Sequence, residues 1–324
     1  MMLVPLAIVG FVVAFYFPSC VTPPVLPAAD SAGPRMEELW EAPADLQSRD
    51  LFYGPWGPER APDPGALYTF LAPKRGGVNP GMSVRDPGGR EWRIKQPPVT
   101  DRAAEGPVEV VLSRVLSAVG YHQPPVYFLP AFTLAKDGAV VRTIGGRFRL
   151  DESSLRDAGE WSWQRNPFVD TTPYQGLLVI LLMFNSSDLK NSNNTLYDVS
   201  LPSQPPGRWF VVRDLGTALG DTGRLAPHRN DPDRFERHGF IRGVRNGFVE
   251  FEYGGYHQEL VRTRITVGDV RWASELLAGL TDTQWIEAFR AGGYDPPVAD
   301  RFIRVLQRKI RQGRFPDTDG GSGS

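Results

Sequence analysis

Cysteine, histidine and lysine are all scarce in this sequence of 324 residues. The single cysteine, Cys20, excludes an internal disulfide and a thiolate metal cluster, and the four scattered histidines argue against a zinc site. A P-loop, a Gly-x-Ser-x-Gly nucleophile elbow and a His-Glu-x-x-His motif are also absent. The sequence therefore lacks the signatures of P-loop NTPases, α/β-hydrolases and zinc peptidases.

Neither sign of charge is in excess. The 36 Lys+Arg residues face 37 Asp+Glu residues, for a formal net charge of -1. This balance excludes a strongly basic nucleic-acid-binding protein as a first hypothesis, and we expect no nucleic acid partner. Among the cations, 31 are arginine and only five are lysine: Lys74, Lys95, Lys136, Lys190 and Lys309. An ammonium point charge and a planar guanidinium are not equivalent, so the lysine positions are informative.

The composition is that of a folded protein with many irregular connections. Hydrophobic residues make up 41% of the chain and aromatic residues 11%, which is enough for a packed core and excludes wholesale disorder. The 34 glycines and 30 prolines argue against an all-helical bundle.

The N-terminus carries an unbroken apolar run at residues 3–17. At about 15 residues this run is shorter than the roughly 20 that span a bilayer as a helix, and it is typical of a secretory signal. Cys20 follows Ser19 at the end of the run, as in a bacterial lipoprotein signal. We predict a signal, lipoprotein-type or anchor segment at residues 1–20 and an exported or membrane-anchored protein. The alternatives are a short membrane-associated anchor and a start codon assigned too early.

The rest of the chain divides into a β-rich part and a helical part. Residues 21–64 are Pro-rich and indicate a linker with an N-terminal extension. Residues 65–150 predict the order β-β-β-α-β-β, with a helix at 107–119 and strands at 68–71, 82–85, 91–95, 126–134 and 140–150.

Residues 151–312 are richer in helical patterns. Thr172 is expected to cap a helix with Pro173 at its first position, and the apolar stretch 176–184 predicts that this helix is buried. The remaining elements are expected at 194–199, 209–213 and 248–253 for strands and at 267–279, 282–291 and 297–312 for helices. Residues 313–324 indicate a disordered tail. The fold class predicted from these elements is α+β.

Polar side chains cluster at the turn after the buried helix. Asp188, Lys190 and Asn193 fall within one short loop, and Asp214 stands at the end of an apolar strand, just before Leu215 and a glycine. Taken alone, the first group is also typical of a polar turn after a helix, and the second of an ordinary strand end.

Two upstream residues complete a set suited to phosphoryl transfer. Lys95 ends a predicted strand, and Glu109 lies in the following helix, with Glu105 one turn earlier as an alternative. Taken alone, Lys95 could be a strand lysine that reaches solvent along its stem. Phosphoryl transfer from ATP needs a cation on the phosphates, hard metal ions held by carboxylate and amide oxygens, and a carboxylate that orients the acceptor hydroxyl.

In type and order these residues resemble the protein-kinase-like superfamily. The run from Asp188 to Asn193 resembles the Asp-Leu-Lys-x-x-Asn catalytic loop, and Asp214-Leu-Gly resembles the metal-binding Asp-Phe-Gly. The resemblance implies a two-lobed fold with a β-rich N-terminal lobe and a mainly helical C-terminal lobe. It also implies that ATP and Mg²⁺ or Mn²⁺ bind.

The resemblance also assigns roles to the individual residues. It implies that Asp188 and Lys190 are catalytic, that Lys95 and Glu109 bind the nucleotide, and that Asn193 and Asp214 hold metal. Ser186-Ser187 replaces the usual His-Arg, and a Gly-x-Gly-x-x-Gly loop and an Ala-Pro-Glu signal are missing. These departures are typical of HipA-like, secretory-pathway and phosphatidylinositol-kinase-like enzymes, and the closest likeness is to uncharacterised bacterial members.

The sequence thus predicts an ATP-dependent phosphotransferase that acts on an unknown protein or small-molecule hydroxyl. The first alternative is a catalytically inactive kinase fold that serves as a binding or scaffolding lipoprotein, and the second is an unrelated α+β surface protein. The arginine-rich stretch 217–246 could bind an acidic substrate or be a solvated loop.

Overall fold

The computed structural model describes residues 35–75, 79–98, 104–202, 205–223 and 228–316. The predicted N-terminal signal or anchor, with Cys20, and most of the predicted tail lie outside the described residues. Among the described residues, no helix is long and apolar enough to cross a membrane.

Five strands close into a small barrel. They are β1 (Leu67–Pro73), β2 (Gly81–Arg85), β3 (Glu91–Lys95), β4 (Val126–Lys136) and β5 (Ala139–Leu150). Their order around the barrel is β1-β2-β3-β5-β4, and the barrel closes where β1 pairs parallel to β4. Alternate residues fill its interior, among them the fully buried rings of Tyr68, Trp92, Phe132 and Phe148. The five predicted strands are confirmed.

One helix, α1 (Glu105–Ala118), lies between the barrel and the helices that follow it in the chain. Its valines and leucines recur at helical spacing and are buried, as the sequence predicts. The chain turns at Gly120, whose φ of 104° is unfavourable for other residues. A Cβ there would lie 2.0 Å from the carbonyl oxygen of Glu41.

The helix α2 (Thr172–Met183) is the centre of the larger core. Its residues from Tyr174 onward are buried, which confirms the predicted buried helix. The predicted cap is wrong by one residue, because Thr171 and not Thr172 accepts a hydrogen bond from the Tyr174 amide. The helix starts one residue earlier than expected and places Pro173 in its first turn.

Five further helices follow in the described part of the chain. They are α3 (Pro232–Arg237), α4 (Gln258–Thr263), α5 (Val267–Ala278), α6 (Asp282–Ala291) and α7 (Pro296–Arg314). The three long closing helices α5, α6 and α7 confirm the prediction, and α6 begins with the capping box of Thr281 and Gln284. The helix α7 runs to Arg314, two residues into the segment predicted as a disordered tail.

Two small sheets complete the described structure. Strands β6 (Leu155–Asp157), β7 (Asn194–Val199) and β8 (Gly207–Val212) form one antiparallel sheet, and β9 (Ile241–Arg245) pairs with β10 (Phe248–Phe251). The described residues therefore form a mixed α/β structure with seven α-helices, a barrel and two sheets.

Candidate functional site

A cleft of about 640 Å³ gathers most of the residues that the sequence singled out. Its lining includes Lys95, Asp188, Lys190, Asn193 and Asp214. They come from three places in the chain, namely the end of β3, the turn after α2 and the end of β8. The sixth predicted residue, Glu109, lies behind Lys95 and is 2% exposed.

A buried lysine stabilises the turn after α2. Lys309 of α7 donates to the carbonyl oxygen of Met183 at 3.0 Å and to Oδ1 of Asn185 at 2.7 Å. Asn185 has a φ of 56°, which turns the chain out of the helix. Because Leu189 is buried at 2% exposure, its polar neighbours Asp188 and Lys190 are directed towards the cleft.

The alternation of β3 delivers Lys95 to the cleft. Ile94 points into the barrel, so the next residue faces the opposite side of the strand. The Lys95 ammonium lies 2.6 Å from Oε2 of Glu105 and 3.5 Å from Oε2 of Glu109, and it forms an ion pair with Asp214. Burial disfavours its charge, but the carboxylates of Glu109, Asp214 and Glu105 outweigh burial and hold the Lys95 pKa above its ordinary range.

Glu109 is shared between three cations. Its Oε1 lies 3.1 Å from Nε of Arg147 and 2.5 Å from Nη2 of Arg149, both on β5. Burial would raise the pKa of this carboxyl group, but Arg147, Lys95 and Arg149 hold it well below its usual range. Lys95 is closer to Glu105, so the geometry offers Glu105 as the nearer helix partner of this lysine.

The loop residues Asp188, Lys190 and Asn193 contact one another. Nζ of Lys190 lies 2.8 Å from Oδ1 of Asp188, and Nδ2 of Asn193 donates to the backbone oxygen of Asp188 at 2.6 Å. The hydrogen bond with Asp188 raises the pKa of Lys190. Lys190 also sits 4.9 Å from the ring centroid of Tyr256, which forms a wall of the cleft.

Asp214 has an uncommon backbone conformation at the end of β8. Its φ is 55°, in the left-handed region, and its side chain is half exposed. Two residues later Gly216 passes against α1, where a Cβ would lie only 2.5 Å from Cβ of Glu105. The backbone after Asp214 therefore needs a glycine for close approach to the helix.

Two side chains that line the cleft carry oxygen atoms of the kind that a hard cation binds. Asn193 uses its amide nitrogen on the backbone of Asp188, which leaves its Oδ1 as an acceptor, and Asp214 supplies a carboxylate. Mg²⁺ is commonly held by one or two carboxylate or amide oxygens, with phosphate and water oxygens completing its shell. The part of the chain that the structure describes has no group of three or more His, Cys, Asp or Glu side chains suited to a metal ion.

Several cleft residues lie outside the six site residues that the sequence predicted. The lining also contains Lys74, Asn79, Arg147, Arg149, Arg213, Arg229 and Tyr256. Burial, reinforced by the charge of Lys95, lowers the pKa of Lys74. Three of the five lysines thus line one cleft, and the scarcity of lysine was the signal that could have found Lys74.

Most described arginines of the 217–246 stretch have acidic partners elsewhere. Arg242 lies 3.9 Å from Glu252, Arg245 lies 3.0 Å from Glu250, and both pairs are partly exposed. Among the described arginines of that stretch, only Arg229 lines the cleft. The geometry therefore favours the solvated alternative for Arg242 and Arg245 and separates Arg229 from them.

No family model and no curated protein matches this chain. Among solved structures, the chain is similar to the crystal structure of a Helicobacter pylori proinflammatory kinase, CtkA, with a TM-score of 0.33 and 11% sequence identity. The match covers 77% of this chain and 99% of that chain.

Proposed function

We propose that this chain is a kinase-like phosphotransferase that transfers phosphate from ATP to a hydroxyl group. In this proposal the barrel and α1 correspond to the N-terminal lobe of a two-lobed protein-kinase-like fold, and the helical part corresponds to the C-terminal lobe. One observation carries the proposal. Lys95, Asp188, Asn193 and Asp214, which are distant in sequence, line a single cleft, and Lys95 is ion-paired with Asp214.

The cationic side of the cleft would hold the nucleotide phosphates. Lys95 is charged and nearly buried, and Glu105 and Glu109 restrict where its ammonium can lie. Lys74 lines the same cleft, with its ammonium 3.0 Å from the backbone oxygen of Asn79. Fixed cations stabilise the charge that develops on the transferring phosphoryl group.

Asp188 would orient the acceptor hydroxyl. In the transfer, the acceptor oxygen forms a bond to the γ-phosphorus, the bond from that phosphorus to the β–γ bridging oxygen breaks, and the hydroxyl proton passes to the Asp188 carboxylate. ADP leaves with the electron pair of the broken bond. Lys190, within 2.8 Å of Asp188, is placed to neutralise charge on the transferring phosphate.

Asn193 and Asp214 would hold Mg²⁺ or Mn²⁺ through side-chain oxygens. When bound, the metal would supply positive charge that neutralises the nucleotide phosphates. We also propose that the protein is exported or anchored to a membrane, and that residues 1–20 provide the membrane association. Because ATP is scarce outside the bacterial cytoplasm, the proposal requires that the cleft face an ATP-containing compartment.

The test is nucleotide binding by the purified protein with Mg²⁺, with Mn²⁺ and without metal, measured by calorimetry. We expect metal-dependent ATP binding that Asp214→Ala weakens at least tenfold, a loss of about 1.4 kcal/mol. The matched control is Asp233→Ala, an exposed aspartate that is ion-paired with Arg301 and does not line the cleft.

The outcomes separate the two functions. Metal-dependent binding together with ³²P transfer to an acceptor or to the protein itself supports the phosphotransferase. Nucleotide binding without transfer, unchanged by Asp188→Asn, favours the inactive binding or scaffolding module. If the wild-type protein binds no nucleotide under any metal condition, the proposal is wrong.

A further inference from the structure

The carboxylate of Glu105 is held by three donors from three parts of the chain. Nη1 of Arg229 lies 2.8 Å from its Oε1, while Nζ of Lys95 at 2.6 Å and Nδ2 of Asn79 at 2.5 Å share its Oε2. The Glu105 side chain is only 10% exposed. A nearly buried carboxylate with donors on both oxygens has a fixed orientation.

The neighbour of Arg229 is anchored to the same helix end. Nδ2 of Asn230 donates to the backbone oxygen of Ala104 at 3.1 Å, and the Tyr294 hydroxyl donates to Oδ1 of Asn230 at 2.6 Å. The backbone N–H of Asn230 also donates to the backbone oxygen of Ala218 at 2.9 Å. These contacts, made with the start of α1, with the residues after Asp214 and with the segment before α7, fix the backbone position of Asn230. They therefore also fix the backbone position of the preceding residue, Arg229.

The backbone around this contact adopts conformations that non-glycine residues rarely use. Leu219 has a φ of 56° and Asn230 a φ of 51°. A left-handed conformation is a genuine outlier for a bulky leucine, and it persists only where surrounding contacts enforce it. Leu219 is fully buried, and its amide donates to the backbone oxygen of Phe184 at 2.8 Å. The placement of Arg229 is therefore imposed by the fold.

We propose that Arg229 is a positioning residue that acts on Lys95 through Glu105. By holding Oε1 of Glu105, Arg229 presents Oε2 to Lys95 and keeps the Lys95 ammonium between Glu105 and Asp214. The segment that follows Asp214 thereby sets the position of the cation that would contact the nucleotide phosphates. The contacts of Arg229 with Glu105 and of Glu105 with Lys95 do not depend on the proposed function. Only their consequence for nucleotide binding rests on it.

The first test uses the protein without nucleotide. An amine-acylating reagent is applied in limited amount, and modification of Lys95 is measured by mass spectrometry. Arg229→Ala removes the donor that fixes the orientation of the Glu105 carboxylate, so Glu105 holds the Lys95 ammonium less firmly. We therefore expect Lys95 to be modified about fivefold faster. Arg229→Lys restores a point charge and is expected to recover part of the protection. Arg234→Ala is the matched control, because Arg234 belongs to the same stretch but faces Asp221 at 4.0 Å.

A double-mutant cycle tests whether Arg229 acts through Glu105. If it does, Arg229→Ala adds no further labelling to Glu105→Ala, whereas independent effects would multiply. Equal labelling in wild type, Arg229→Ala and Arg234→Ala, with unchanged circular dichroism, would overturn the proposal. So would multiplicative effects in the cycle.

The second readout connects Arg229 to the proposed reaction. We expect Arg229→Ala to raise the KM for ATP about tenfold and to lower kcat less, with partial rescue by Arg229→Lys. If the wild type binds no nucleotide but the labelling pattern holds, the proposed function falls and the positioning role stands. If nucleotide binds but Arg229→Ala changes neither KM nor Lys95 labelling, the positioning role falls alone.

Discussion

Lys95 forms an ion pair with Asp214, a residue 119 positions later in the chain. Lys95 is expected to bind phosphate and Asp214 to bind metal, so their pairing affects how nucleotide and metal would enter the cleft. A metal ion at Asp214 must compete with the ammonium of Lys95 for the same carboxylate. Phosphates would draw Lys95 away and free that carboxylate, which predicts that nucleotide and metal bind cooperatively.

The first prediction concerns metal binding without nucleotide. Lys95→Met removes the competing ammonium from Asp214, and we expect Mn²⁺ to bind about tenfold more tightly than to the wild type, as measured by electron paramagnetic resonance. Lys136→Met is the control, because Lys136 lies over the ring of Phe70 and does not line the cleft. Weaker Mn²⁺ binding by Lys95→Met would show that the ion pair does not compete with metal.

The second prediction separates the two helix glutamates. Glu109 is buried among Lys95, Arg147 and Arg149, so Glu109→Gln leaves buried cations without their counter-charge. Removing one partner of such a group costs about 3–5 kcal/mol, and we expect a loss of that size in the free energy of unfolding measured with urea. We expect Glu105→Gln to cost less stability and to weaken nucleotide binding more. The reverse ranking in both assays would mean that Glu109 is the functional partner of Lys95.

The third prediction follows from the pKa of Glu109. The folded state holds this pKa well below the ordinary value of 4.5, so ionised Glu109 stabilises the protein above pH 4.5. That stabilisation declines as pH falls from about 4.5 towards the folded pKa, by up to about 1.4 kcal/mol per pH unit. Unfolding by urea between pH 3 and pH 7 should therefore show the difference between wild type and Glu109→Gln shrinking in acid. A constant difference across that range would contradict the prediction.

Strong local patterns explain what the sequence could predict of the fold. The apolar run of α2 and the alternating pattern of the barrel strands are local features, and they predict these elements directly. The missed elements β6, β9, α3 and α4 are short, and long-range contacts stabilise some of them. For α3, Arg301 of α7 binds Glu236 at 2.7 Å. No local signal announces that contact, nor the parallel pairing of β1 with β4 that closes the barrel.

Cleft residues that belong to a sequence motif could be singled out from the sequence, whereas those that reach the cleft through strand register could not. Asp188 and Asp214 stand in recognisable runs. Arg147 and Arg149 reach the cleft because β5 pairs with β3 so that Arg147 faces Lys95, and a sequence alone does not give that register. Burial and the charge of Arg147 lower the pKa of Arg149 to about 10, a sign of crowded cations that only the fold creates. Arg229 was hidden among similar arginines.

The last prediction concerns Lys74, which neither the motifs nor the resemblance assigned. Its ammonium lines the cleft beside Lys95, and burial together with the Lys95 charge lowers its pKa, so a bound anion would stabilise its charged form. We expect Lys74→Ala to weaken ATP binding about five- to tenfold and AMP binding much less, as measured by calorimetry at 0.1 M salt, because a lysine that contacts the β- or γ-phosphate has nothing to bind in AMP. Lys136→Ala again serves as the control for the loss of one lysine. An equal loss of ATP and AMP affinity would place Lys74 near the α-phosphate or the nucleoside, and no loss at all would remove it from the phosphate-binding set.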